Sequence, residues 1–166
     1  MIAIIPARGG SKGLPGKNIR SLAGLPLICH SIKVALAANS ISRVVVSTDD
    51  SEIATIAKDC GAEVPFIRPK NLAVDNSMVM DAYFHMIDKI TEETSQPVES
   101  FVALLPTVPL RLPEDIDEAV NIFNVNKADS VISVTEAPVP VQWYRKITSE
   151  GILRDYLPEF NAVKNR

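Results

Sequence analysis

At 166 residues the chain has the length of one domain, and with 46% apolar and 22% charged residues it is not a disordered polymer. Its formal net charge of −3 argues against a dedicated DNA or RNA binder, which carries a basic excess, but leaves room for a small anion held by a local cluster of bases. No apolar run reaches membrane-spanning length, so neither nucleic acid nor membrane is expected as a partner.

The first element is a strand over residues 2–5. The opening is too short for the apolar region of a signal peptide and runs straight into Arg8. Cys29 and Cys60 lack metal-ligand spacing. Together these lead us to expect a cytoplasmic protein with reduced thiols. Leu27, Ile28, Ile32, Ala35 and Leu36 recur at helical spacing, and strand-length runs follow at 44–47 and, more weakly, at 63–67. Asp49 or Asp50 is placed to cap a helix over 51–60, although Asp49 could instead serve a metal. Met78, Val79, Ala82, Tyr83, Met86, Ile87 and Ile90 predict another helix, and residues 101–105 another strand. Pro113 and Glu114 suit the first turn of a helix carrying Ile116, Ala119, Val120 and Phe123. A last strand is expected at 130–134. Beyond it, residues 136–141 are rich in proline and 136–166 read as an arm rather than a second domain.

Strands that are apolar throughout are buried on both faces, and their alternation with helices predicts an α/β fold: an open, mostly parallel sheet with helices on both faces, Rossmann-like in its layering. Ligands of such sheets sit beyond the carboxyl ends of the strands. Residues 6–18 lie there, Pro-Ala-Arg-Gly-Gly-Ser-Lys-Gly-Leu-Pro-Gly-Lys-Asn, with Arg8, Lys12 and Lys17 among Gly9, Gly10, Gly13 and Gly16. Glycines let backbone N–H groups approach a phosphate, and three cations suit a triphosphate better than a single phosphate. A Walker A loop is excluded because Ser11 and Asn18 stand where glycine and Ser/Thr are required, and no G-x-G-x-x-G is present. The competing reading is a solvated turn with incidental lysines.

The string I-I-P-A-R-G-G-S-K-G-L-P-G-K-N resembles the nucleotide loop of the CMP-sialic acid synthetases (acylneuraminate cytidylyltransferases). The likeness continues through V-V-V-S-T-D-D at 44–50, I-R-P-K-N-L-A-V-D at 67–75, L-L-P-T-V-P-L-R at 104–111 and S-V-I-S-V at 130–134. The resemblance implies the nucleotide-diphospho-sugar transferase fold and transfer of CMP from CTP to a nine-carbon 2-keto sugar acid with Mg²⁺, in a homodimer to which the arm would contribute. It implies Arg8 and Lys12 as catalytic cations, with Gly10, Ser11 and Lys17 at the phosphates and Asn18 beside the nucleoside. Arg68 would read cytosine through its guanidinium fork, or else form a surface ion pair. Asp75 is a site residue or a helix cap. Arg111 holds the sugar acid or shapes its loop. Ser77 lies near the family's nucleoside-contacting serine, with Met78 and Val79 at the closest aligned positions. No residue is assigned to the metal.

The family's pattern runs on beyond position 166 toward a later D-x-D-type metal motif, so part of the fold is expected to lie outside this chain. One departure bears on the acceptor. Leu105 and Val108 stand where the family usually has glutamine and serine, which leaves open a sugar other than N-acetylneuraminate, such as a legionaminic- or pseudaminic-type acid. The rival readings are another sugar or polyol cytidylyltransferase and a non-catalytic nucleotide-binding fragment.

Overall fold

Every residue of β1 (Ile2–Pro6) is apolar, and the computed structural model shows why: this strand lies between two parallel neighbours with helices on both sides. The structure describes residues 1–74, 76–140 and 143–156. It divides into two units, Met1–Val131 and Ile132–Arg166.

In the first unit β1 leads through a glycine-rich loop to a two-residue hairpin, β2 (Ser21–Leu22) and β3 (Leu25–Pro26). Ala23 and Gly24 both take positive φ there, 49° and 86°, as a tight hairpin turn requires. α1 (Leu27–Ala37), β4 (Arg43–Ser47) and α2 (Ser51–Asp59) follow. Then come α3 (Val79–Thr94), β5 (Phe101–Ala103) and α4 (Pro113–Asn126), with Pro113 at the first helical position. The sheet runs β4-β1-β5 and is parallel throughout, with Ile2 beside Arg43 on one flank and Phe101 on the other. Side chains alternate across it. Ala3, Ile5, Val44 and Val46 pack with Ile28, Ile32, Ile53 and Ile116 from α1, α2 and α4, whereas Ile4 and Val45 meet Tyr83, Met86 and Ile90 of α3. The expected two-sided α/β sandwich is therefore the observed one.

The adjacent carboxylates after β4 do different things. Asp50 caps α2, its Oδ1 accepting from the N–H groups of Glu52 (2.8 Å) and Ile53 (3.1 Å). Asp49 caps nothing, and the expectation that it would is corrected. At the far end of the sheet, Asp117 of α4 accepts hydrogen bonds from backbone and side chain of both Asn39 and Ser40. Those bonds, Ser40's foremost, hold its pKa at about 2.

Three other expectations change. Cys29 and Cys60 are not reduced thiols but a disulfide, S–S 1.99 Å with Cα atoms 5.6 Å apart. The packing of α1 against α2 brings them together, and a separation of 31 residues carried no sign of it. The run 130–134 forms no strand. Ile132 and Val134 are exposed, and among the described residues no strand lies beside them to take up their backbone groups. Residues 63–67 contribute only isolated parallel bridges, Val45 with Glu63 and Thr48 with Ile67. Within the second unit, β6 (Arg145–Ile147) and β7 (Leu153–Asp155) form an antiparallel hairpin closed by an Arg145–Asp155 ion pair of 3.1 Å.

Candidate active site

The loop after β1 is held at both ends. Ala7 N–H donates to the Ser47 carbonyl (2.9 Å), extending the β1–β4 ladder by one step before the chain leaves the sheet. Gly16 turns with φ 64° into a 3-10 turn, Lys17–Ile19. Asn18, 6% exposed, donates from Nδ2 to the Arg8 carbonyl (3.0 Å) and so ties the loop's exit to its entrance. What lies between is a polar cavity of about 370 Å³, lined by Arg8, Ser11, Lys12, Lys17, Asn18 and Thr107 among others. Cations, a serine hydroxyl and glycine backbone converge there, the donor set for a polyanion. Sequence reasoning had not singled out Thr107; its place in L-P-T-V, at the carboxyl end of β5, was the available signal.

A second cavity of about 240 Å³ is lined in part by the same residues, Pro6, Arg8 and Leu105, and otherwise by Arg68, Leu72, Val74, Ser77, Met78 and Val79. Most of its walls are apolar. The exceptions are Arg8, Ser77 and Arg68, the last only 5% exposed, with no hydrogen-bond partner for its Nε and Nη2 among the described residues. Burial pushes its pKa down. Asp49 opposes that shift and Arg8 adds to it. Buried polar atoms are almost always paired in native proteins. Such a guanidinium on a cavity wall can meet a ligand's acceptors; the ion pair considered as its alternative is also present, with Asp49 Oδ1 3.8 Å from Nη2, though Arg68 is buried rather than on the surface. Arg8 also lines this cavity, its Nη1 donating to the Val74 carbonyl at 3.2 Å.

Two cavities, one cationic and one apolar around a single buried arginine, meet at the carboxyl end of a parallel sheet. The family model for cytidylyltransferases matches residues 2–144. The chain belongs to that family. A CMP-N,N'-diacetyllegionaminic acid synthase from Legionella pneumophila is 43% identical over 92% of this chain and 65% of its own length. A pseudaminic acid cytidylyltransferase of Campylobacter jejuni is 37% identical over 85% and 60%. Among solved structures, a CMP:2-keto-3-deoxy-manno-octonic acid synthetase complexed with CTP superposes with a TM-score of 0.63 at 25% identity, covering 76% of this chain and 48% of that one. The chain thus spans less than two thirds of the length of these relatives.

In this cytidylyltransferase chain Gly10 and Arg111 lie outside both cavity linings. Gly10 is exposed and open, with no atom within 4 Å of where a Cβ would stand. Arg111 is half-buried outside both linings; its Nη1 has no hydrogen-bond partner among the described residues, and burial lowers its pKa against the pull of Asp115. Asp75 falls outside the described residues. Ser77, Met78 and Val79 all reach the second cavity, with Ser77 Oγ donating to the Asn71 carbonyl at 3.0 Å.

Proposed function

We propose that this chain binds CTP and forms the nucleotide half of an enzyme that transfers CMP to a nine-carbon 2-keto sugar acid, releasing pyrophosphate. One observation carries the reading: the cationic cavity adjoins the cavity of the buried Arg68, whose Nε and Nη2 lack hydrogen-bond partners among the described residues, and the two share Arg8 and Leu105. A triphosphate suits the first. The flat, acceptor-bearing edge of cytosine suits the second, where a guanidinium fork can meet a carbonyl and a ring nitrogen. The sugar's anomeric oxygen attacks the α-phosphorus, the bond to the bridging oxygen breaks, and pyrophosphate leaves with its electrons. Arg8 and Lys12 stand against the charge that grows on the phosphoryl oxygens, and Lys17 with the loop's N–H groups steadies the leaving end.

Asp49 and Asp50 are engaged elsewhere, and among the described residues no group of three His, Cys, Asp or Glu side chains is arranged for a metal. The described carboxylates do not fit a Mg²⁺ cage. Mg²⁺ is proposed only as a companion of the nucleotide, held by phosphate oxygens. A homodimer is supported by the apolar exposure of the second unit, where Trp143, Ile147 and Leu153 are each at least 65% exposed. No helix among the described residues is long and apolar enough to cross a membrane, and CTP as substrate supports a cytoplasmic setting.

For the acceptor, the names of the Legionella and Campylobacter relatives and the apolar Leu105 on the rim of both cavities support a legionaminic- or pseudaminic-type acid. The test follows pyrophosphate release from CTP, UTP and ATP, with a panel of nine-carbon acids, using the full-length gene product. Release is expected with CTP and the diamino acids, and Leu105→Gln should move preference toward N-acetylneuraminate. Equal binding of the three nucleotides would reduce the site to a phosphate pocket and favour the non-catalytic reading.

A further inference from the structure

The corner after β4 carries a carboxylate whose position neither helix capping nor metal binding explains. Asp50 has taken the cap of α2. Asp49, one residue earlier, directs its Oδ1 to the Gly9 backbone N–H (3.0 Å), and the same oxygen lies 3.8 Å from Nη2 of Arg68. That second distance is too long for a hydrogen bond but within reach of an ion pair. One oxygen therefore stands between the first glycine of the phosphate loop and the arginine of the second cavity.

The surroundings make this contact specific. A Cβ on Gly9 would lie 2.6 Å from Asp50 Oδ2, so only glycine lets the loop close onto this corner. Arg68 is anchored alongside by its own backbone, its N–H donating to the Thr48 carbonyl at 2.8 Å. Its guanidinium is buried and faces a like charge on Arg8, which opposes its ionisation as Asp49 favours it. A buried cation beside a second cation needs a counter-charge, and leaving it uncompensated is costly. The desolvated fork also needs fixing in one direction if it is to distinguish one base edge from another.

We infer that Asp49 is a positioning residue: its carboxylate aims Arg68 at the nucleobase and locks the phosphate loop to the same point, so that base recognition and triphosphate binding are coupled. The inference deepens the proposed CTP site and rests on the reading of Arg68 as its base contact. It separates two roles within one side chain. The charge serves Arg68, whereas any acceptor oxygen can serve Gly9.

Asp49→Asn keeps an acceptor for the Gly9 N–H and removes the charge; Asp49→Ala removes both. Affinities of the full chain for CTP, UTP and inorganic tripolyphosphate would be measured by calorimetry, after thermal melting has shown each variant folded. Asp49→Asn should cut the CTP-over-UTP preference roughly tenfold while tripolyphosphate binding stays within about twofold. Asp49→Ala should weaken tripolyphosphate as well. In an Arg68→Met background Asp49→Asn should have almost no further effect on CTP, because the two act as a unit. An Asp49→Asn variant that keeps the wild-type preference, or loses affinity for all three probes alike, overturns the inference and leaves the CTP reading standing. Should Asp49→Asn not fold, Asp49→Glu takes its place, with a lengthened reach, and must lower the CTP-over-UTP preference more than tripolyphosphate binding. A wild-type chain with no preference for CTP overturns both.

Discussion

The two cavities differ in kind, and on the proposed reading they would hold one nucleotide in opposite ways. Around the glycine loop, charge is plural and wet: Lys12 is exposed, Lys17 half-exposed, and backbone N–H groups supplement them. In the second cavity one guanidinium is buried, without hydrogen-bond partners for Nε and Nη2 among the described residues, and has Asp49 as its counter-charge. On the proposed reading the first design would give affinity that tolerates damage and discriminates poorly, and the second discrimination that fails when one support is removed.

The largest perturbation should spare this contrast. The Cys29–Cys60 disulfide ties α1, whose Ser31 donates to the Leu105 carbonyl (3.2 Å), to the end of α2, whose first turn begins at the Asp49–Asp50 corner. Closing a loop of this span restricts the unfolded chain by about 3–4 kcal/mol in the loop-entropy picture. Reduction, or Cys29→Ser with Cys60→Ser, should lower the denaturation midpoint accordingly while leaving the CTP-to-UTP affinity ratio unchanged. A ratio that moved with reduction would mean that the second cavity alone leans on the disulfide.

Arg68→Met should come next. Removing the fork while keeping much of its apolar volume is expected to weaken CTP by about 2–3 kcal/mol and to bring UTP and CTP to equal affinity. Tripolyphosphate titration is the control and should change little. If Arg68→Met weakened tripolyphosphate as much as CTP, this arginine would belong with the loop cations and the contrast would collapse.

Lys17→Ala is the matching lesion on the other side. A partly exposed charged contact to phosphate should be worth about 1.5 kcal/mol, the lower end of the range for charged hydrogen bonds. The loss should appear equally for CTP, UTP and tripolyphosphate and should shrink as salt is raised. Unchanged affinity would take Lys17 out of the site.

These two regions were also unequally legible in the sequence. The loop could be read directly, since glycines and cations packed between a strand and its next turn have few other uses at that place in an α/β sheet. The core was legible for a similar reason: the runs at 2–6 and 44–46 are apolar throughout because helices cover both faces. What lay hidden depended on three-dimensional partners. Asp49 and Asp50 are the same residue type side by side, and only the folded corner shows that one caps a helix and the other reaches Gly9. The run 130–134 has the composition of a strand but, among the described residues, no strand to pair with, and strand propensity without a partner does not make a sheet.

The smallest effect expected is a pH dependence confined to the second cavity's side of the sheet. His85, on α3, has a buried Nδ1 without a hydrogen-bond partner among the described residues. Burial is the main cause that lowers its pKa, helped by the positive charges of Lys89 and Arg68, while Asp88 and Glu92 pull the other way. The folded-state pKa therefore lies below the unfolded one. Above the ordinary histidine range near pH 6.5 both states are neutral and the stability is intact. As pH falls through that range the unfolded chain takes up its proton first, so stability is lost progressively until the folded histidine also titrates. Asp117 works in a separate window: its carboxylate, held at about 2, contributes above the ordinary aspartate range and loses that contribution only as pH falls toward 2. Melting curves between pH 7.5 and pH 5 should therefore show wild type losing stability relative to His85→Gln, with Asp117→Asn parallel to wild type over the same span. Because the protonated imidazole would face Arg68, the CTP-to-tripolyphosphate affinity ratio should fall in wild type at the acid end and stay level in His85→Gln. Parallel curves for wild type and His85→Gln would show that α3 carries no proton-linked charge toward Arg68, and that the second cavity's electrostatics are set by Asp49 and Arg8 alone.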